Sequence, residues 1–229
     1  METTENPTTE AKKPLPKNHL SIDQWIAKMK ITFGNATSPE IFTAMQTVGY
    51  TKERIASLIK KLERLENLQQ VRTKEYAEQI TESEEFDSKC TELYVQYSTH
   101  RKLAKILFKG DTLATKSLRL DQTSKRTYSG WYEEATNFYA QLDASPELLA
   151  KAGGVGISAE VVATQKQALV DLQSLKVSQR KETAEAQQAT AARDKAFDEL
   201  YPLYAEYVKY AKVLLKDNKA LVALGIIVK

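Results

Sequence analysis

The sequence predicts an all-α protein built by tandem duplication, with four-helix-bundle packing and a pseudo-two-fold axis, and three observations carry that prediction. Eight Gly and six Pro in 229 residues, beside 28% charged residues and abundant Ala, Leu, Lys, Glu and Gln, are a helix-former composition. The segment from Ser38 to Lys109 recurs as Ser145 to Lys216 at a constant, gap-free offset of about 107 residues, with roughly a third of positions identical. In both copies the apolar residues follow a coiled-coil rhythm that fades in a polar middle and resumes in phase.

The elements follow in order. Residues 1–18, rich in Thr, Pro, Glu and Lys, are expected to form a disordered tail, and they lack the basic-then-apolar order of a secretory signal. Ser21 and Gln24 have capping-box spacing and open a helix with Trp25, Met29 and Phe33 on one face. Ser38-Pro39-Glu40 reads as N-cap, first helical proline and first-turn acid of a second short helix, which Gly49 closes.

From Thr51 to Lys109 there is neither Gly nor Pro. Ile55, Leu58, Leu62 and Leu65 form an apolar stripe that resumes at Phe86, Cys90, Leu93, Tyr97, Ala104 and Leu107, so one unbroken helix would be about 90 Å long. After Gly110, TLATKSLRL reads as a short amphipathic turn and DQTSKR as a linker.

The second copy repeats the plan. Trp131 answers Trp25, Ser145-Pro146-Glu147 repeats Ser38-Pro39-Glu40, and Val155-Gly156 repeats Val48-Gly49. Val162, Leu169 and Leu172, a polar middle, then Phe197, Leu200, Tyr204, Val208, Ala211 and Leu215 mark the second long segment. Pro202 opposes its continuity, since an interior proline costs a helix about 3 kcal/mol. The apolar ending LVALGIIVK is expected to pack against something. The expected division is a helical repeat over 19–120 and another over 121–229, with the long helices open to exchange between the two bundle ends.

Two architectures compete. In one, each polar middle is a turn and each copy folds its own bundle, but Glu75 to Glu85 and Glu182 to Ala192 contain no Gly, Pro or Asn. In the favoured one, both long helices run unbroken and antiparallel, giving a dumbbell. The deciding question is whether Leu65 meets Leu93 of its own copy or Phe197 of the other.

Several chemistries are excluded. A di-metal carboxylate bundle needs Glu-x-x-His twice, and the chain has only His19 and His100. Cys90 is the single cysteine, so there is no internal disulfide and no zinc site with two Cys ligands, and a place on the apolar stripe makes it a small hydrophobe. GGVGIS before the second long segment lacks the Lys-Ser/Thr of a phosphate loop and reads as a helix C-cap. No cofactor, metal or catalytic residue is assigned, and an enzyme is not expected.

Two candidate clusters remain. Arg101, Lys102, Lys105, Lys109, Lys116 and Arg119 form a local basic patch in a chain whose net charge is only +3. Cations at a helix C-terminus already account for much of it, and nucleic acid is not an expected partner. Tyr97 and Tyr204, with Glu92 and Glu199 as hydroxyl partners, could line a ligand pocket between helices.

The Trp helix, the Gly-Ile turn and the terminal LVALGI resemble segments of uncharacterised bacterial all-helical proteins. The resemblance implies a bacterial, cytoplasmic origin and no known activity. The sequence therefore points to a non-enzymatic helical interaction or scaffold protein, with no membrane span, whose partner is a protein, a second copy of the chain being one candidate. The alternative is a small-ligand-binding bundle with a tyrosine-lined interior.

Overall fold

The computed structural model of the protein describes residues 20–227. The expected tail at 1–18 and His19 lie outside the described residues. Among the described residues there are eight α-helices and no strand: α1 (Ile22–Asn35), α2 (Pro39–Gln46), α3 (Lys52–Leu107), α4 (Thr112–Ser117), α5 (Tyr128–Ala144), α6 (Pro146–Gly153), α7 (Ala159–Leu214) and α8 (Asn218–Ala223).

Local chemistry sets the boundaries. At α1 the capping box is complete: Gln24 N–H donates to Ser21 Oγ at 3.2 Å, and Ser21 N–H donates to Gln24 Oε1 at 2.8 Å. Four helices end in the same Schellman closure, with a residue at positive φ. Gly49 (φ 84°) closes α2, where Tyr50 N–H bonds Met45 O at 3.2 Å, and Gly156 (φ 86°) closes α6, where Ile157 N–H bonds Ala152 O at 3.1 Å. In α4 and α8, Arg119 (φ 52°) and Gly225 (φ 69°) play that part, with Leu120 N–H on Thr115 O at 2.8 Å and Ile226 N–H on Leu221 O at 3.0 Å. The stretch read as a turn, TLATKSLRL, thus contains a capped helix, with Asp111 Oδ1 accepting from Ala114 N–H at 3.0 Å.

α3 and α7 are each 56 residues long and unbroken. The hairpin reading of the polar middles therefore fails. Those middles hold good helix formers, and i,i+4 pairs such as Lys74–Glu78 and Lys181–Glu185, both 3.2 Å, support them locally. Pro202 lies inside α7. Pro202 and Asp198 are both exposed, so the Asp198 carbonyl, which loses its helical donor, is within reach of water.

The chain divides into two compact units. The first comprises described residues 20–71 and 190–227, and the second comprises Arg72–Ala189. In the first unit, Leu65 of α3 shares its core with Phe197 of α7, together with Trp25, Phe33, Tyr50, Tyr204 and Tyr207. The rings meet edge to face, Tyr50 on Tyr207 at 4.9 Å and Trp25 on Tyr201 at 5.0 Å, each such pair adding about 1 kcal/mol beyond its buried area. The apolar C-terminal run is docked here: Leu221, Leu224 and Ile226 are buried, and Thr32 Oγ1 and Asn35 Nδ2 donate to Leu224 O and Ala223 O, both at 2.8 Å.

In the second unit, Leu93 and Tyr97 of α3 pack with Leu169 and Leu172 of α7, Trp131, Phe138 and Tyr139 of α5, and Leu118 and Leu120 after α4. The predicted linker, 121–126, is tied down within this unit. Arg101 donates to Arg119 O at 3.1 Å and Gln122 O at 2.6 Å, while Lys125 N–H and Ser124 Oγ–H reach the buried Glu134 carboxylate at 3.3 and 3.4 Å.

Candidate functional site

The basic patch separates into two kinds of residue. Arg101 is half-buried and spends its guanidinium on two backbone carbonyls, and Arg119 pairs with Glu133 at 3.0 Å. These two hold structure. Lys102, Lys105, Lys109 and Lys116 are exposed. Lys102, Lys105 and Lys109 share an i, i+3, i+7 stripe of α3 and its end with Ile106, which is 74% exposed, and Leu113 on α4 is 82% exposed.

The first unit carries the same arrangement. Lys209, Lys212 and Lys216 are exposed, and between them on the stripe stands Val213, 77% exposed. Val222 and Ile227 add further exposed aliphatic surface near the chain end. Each long helix thus carries near its C-terminal end one exposed aliphatic side chain, Ile106 or Val213, flanked by lysines at helical spacing, where cations also complement the helix dipole.

The tyrosine candidates divide between the two units. Tyr97 and Glu92 belong to the second unit, Tyr204 and Glu199 to the first. Tyr97 is buried, and its hydroxyl donates to Glu134 Oε2 at 3.5 Å, where the sequence reading had looked to Glu92. Burial pushes its pKa up to about 12. Tyr204 is buried against Trp25 and Phe33, both at 6.0 Å, and burial raises it too. Glu92 and Glu199 are exposed, and Glu92 pairs with Lys89 at 3.0 Å. Both rings pack in the cores, and three buried tyrosine hydroxyls, those of Tyr50, Tyr128 and Tyr207, have no hydrogen-bond partner.

His100 Nδ1 lies 2.8 Å from the Tyr139 hydroxyl, and burial lowers the imidazole pKa. Burial, with Asp87 nearby, raises the Cys90 thiol pKa, the opposite of what an activated nucleophile needs. His100 engages Tyr139, in keeping with a structural role. Glu75, Glu182 and Glu185 converge with their carboxylates within 4.8 Å, but Lys74 and Lys181 stand among them, at 3.2 Å from Glu182 and Glu185 in the case of Lys181.

One concave feature escaped the sequence reading. Between α3 and α7 of the second unit runs a groove of about 590 Å³, floored by Leu93, Ala168, Leu172 and Leu175 and edged by Glu85, Lys89, Glu92 and Asp171. Its wall contains Gln96 and Gln165, joined by a 2.5 Å bond from Gln165 Nε2 to Gln96 Oε1. Gln165 is only 8% exposed, and its Oε1 is shut away from solvent without a partner. The signal existed in the sequence: at the constant offset, Gln165 matches Leu58 and Gln96 matches Leu203.

Comparison with protein-family models, with curated proteins and with solved structures finds no match to the chain.

Proposed function

We propose that the protein is a non-enzymatic helical scaffold, made by tandem duplication of a unit that packs as a four-helix bundle, and that each unit offers one lysine-and-aliphatic face to an acidic, apolar segment of a partner protein. The carrying observation is the recurrence of that face. Ile106 among Lys102, Lys105 and Lys109 and Val213 among Lys209, Lys212 and Lys216 occupy matching positions, and both aliphatics are exposed. An aliphatic side chain in water is a small standing cost, and a partner that covers it recovers about 25 cal/mol per Å². The surrounding ammonium groups favour acidic partners and suppress basic ones.

The duplication reading draws support from the shared closures. Asp111 and Asp217 cap α4 and α8, and Arg119 and Gly225 then turn the chain at positive φ. The raised pKa of the Cys90 thiol and the engagement of His100 by the Tyr139 hydroxyl fit structural roles for both residues. One cysteine suits a reducing compartment such as the cytoplasm, and no described helix is long and apolar enough to cross a membrane.

The test is site-specific photo-crosslinking in the cells that make the protein, with the crosslinker at Ile106 or Val213 and, as control, at Val170 or Val177, which are exposed elsewhere on the surface. A discrete protein adduct at the first pair, lost when Lys102, Lys105 and Lys109 (or Lys209, Lys212 and Lys216) become Glu, is the expected result. Adducts equally abundant at the control sites would contradict it.

A further inference from the structure

We propose that the acidic, apolar segment met by the Ile106 lysine face is the stretch 76–87 of α3 in a second copy of this chain. The proposal rests on the lysine faces being docking surfaces and names their occupant.

That stretch has the complementary chemistry. Tyr76 and Ile80, one helical turn apart, are both exposed, and the exposed Glu84 and Asp87 continue the same side of the helix four and seven residues beyond Ile80. From Glu75 to Ser88 the chain carries Glu75, Glu78, Glu82, Glu84, Glu85 and Asp87 and no basic residue. Arg72 lies over the Tyr76 ring at 4.6 Å and still leaves the tyrosine exposed. Among the described residues neither Glu84 nor Asp87 has an ion-pair partner, and neither do Lys102, Lys105 and Lys109. The fold does not call for the stripe. At the matching places on α7 stand Thr183, Gln187 and Ala191, with only Asp194 retained, and α7 is as long and unbroken as α3.

The spacings match as well. Lys102 precedes Ile106 by four residues, about 6 Å along the axis, and Glu84 follows Ile80 by the same distance. With Ile106 set on Ile80 and the two helices antiparallel, Lys102 comes level with Glu84, and Lys109 comes level with Ala77, between Tyr76 and Glu78. An ammonium is favoured beside either neighbour, the ring or the carboxylate. Stripe and face cannot meet within one molecule, because Ile80 and Ile106 stand about 39 Å apart along one unbroken helix. Val213 with Lys209, Lys212 and Lys216 repeats the spacing and gives each copy a second face for the stripe. A contact between two unlike surfaces leaves one of each unused at the ends, so association continues beyond the dimer unless a ring closes. Each contact is small, which places its dissociation constant at about 0.1–1 mM.

The experiment is sedimentation velocity of the full chain across about 0.05–1 mM, in salt of about 0.05 and 0.5 M. It is joined to photo-crosslinking from Ile106 in an equal mixture of unlabelled and heavy-isotope protein, which distinguishes adducts between copies from those within one. A mass that rises with concentration in low salt only, and mixed-isotope adducts that map to 76–87, are the expected results. Reversing the stripe with Glu78→Lys, Glu84→Lys and Asp87→Lys should weaken association by about ten-fold or more with Tm retained. Adding Lys→Glu at Lys102, Lys105, Lys109, Lys209, Lys212 and Lys216 in the same chain should restore it. Monomer throughout this range, or adducts between copies that map outside 76–87, would overturn the proposal, and the crosslink map decides even where a charge variant misfolds. If the purified chain stays monomeric while Ile106 captures a different protein in cells, the second copy is overturned and the lysine face stands as a docking surface. If Ile106 captures nothing in either setting, both readings fail.

Discussion

At the scale of single residues, Gly225 and Arg119 make the same turn with different chemistry. A Cβ on Gly225 would sit 3.2 Å from Ile31 Cγ2 at a φ of +69°, so Gly225→Ala combines left-handed strain with crowding against α1. A loss of about 1–2 kcal/mol in urea unfolding is expected. Arg119 tolerates φ 52° because its side chain is free to reach Glu133, and its carbonyl is held by Arg101. Thr32 is the other sensitive residue: fully buried, it donates to Leu224 O, so Thr32→Val should cost about 1–3 kcal/mol by leaving that carbonyl unsatisfied.

At the scale of elements, Pro202 is the informative position. Proline removes one helical hydrogen bond from α7, and the exposed position gives nothing back through packing. Pro202→Ala should therefore stabilise the protein by about 1–3 kcal/mol, read as a higher midpoint in urea with an unchanged slope. A drop in stability would show that the proline has a packing role absent from this structure. Much of the element pattern was legible beforehand, because caps and closures are local: Ser21 with Gln24, Gly49 and Gly156 all declare themselves by type and spacing. What stayed hidden was α4, six residues whose Asp111 cap and Arg119 closure lack the usual glycine signal. The groove was hidden for a different reason. Gln96 and Gln165 are unremarkable singly, and only the packing of α3 beside α7 joins them at the groove wall.

At the scale of the whole molecule, each core is assembled from both halves of the sequence. Leu65 needs Phe197, and Tyr97 needs Phe138 and Leu169. Fragments 1–120 and 121–229, made separately, should each fail to melt cooperatively, and mixing them should restore a cooperative transition near that of the intact chain. The heptad stripe predicted these helices but could not choose their partners, since Leu93 and Phe197 offer equivalent apolar surfaces to Leu65.

The buried tyrosines give the whole protein an alkaline limit. Burial raises the pKa of Tyr50 and Tyr97 from 10 to about 12 and shifts Tyr139, Tyr204 and Tyr207 the same way. Above pH 10 the unfolded chain loses phenolic protons that the folded chain keeps, so stability present below pH 10 falls as pH rises through about 12. Urea melts across that range should show the loss, and ultraviolet titration should show these phenols ionising only with unfolding. The lowered pKa of His100 acts on the other side: its contribution is intact above 6.5 and is lost as pH falls below it.

The pairing of the halves is tested most directly by ring-to-ring NOEs in protein carrying labelled Tyr and His. In this structure Tyr50 meets Tyr207 at 4.9 Å, whereas in a protein whose copies folded separately the matching neighbour would be His100 of its own copy. A Tyr50–Tyr207 cross-peak in the monomeric protein is the predicted result. A Tyr50–His100 cross-peak in its place would contradict the exchange of long helices on which both cores depend.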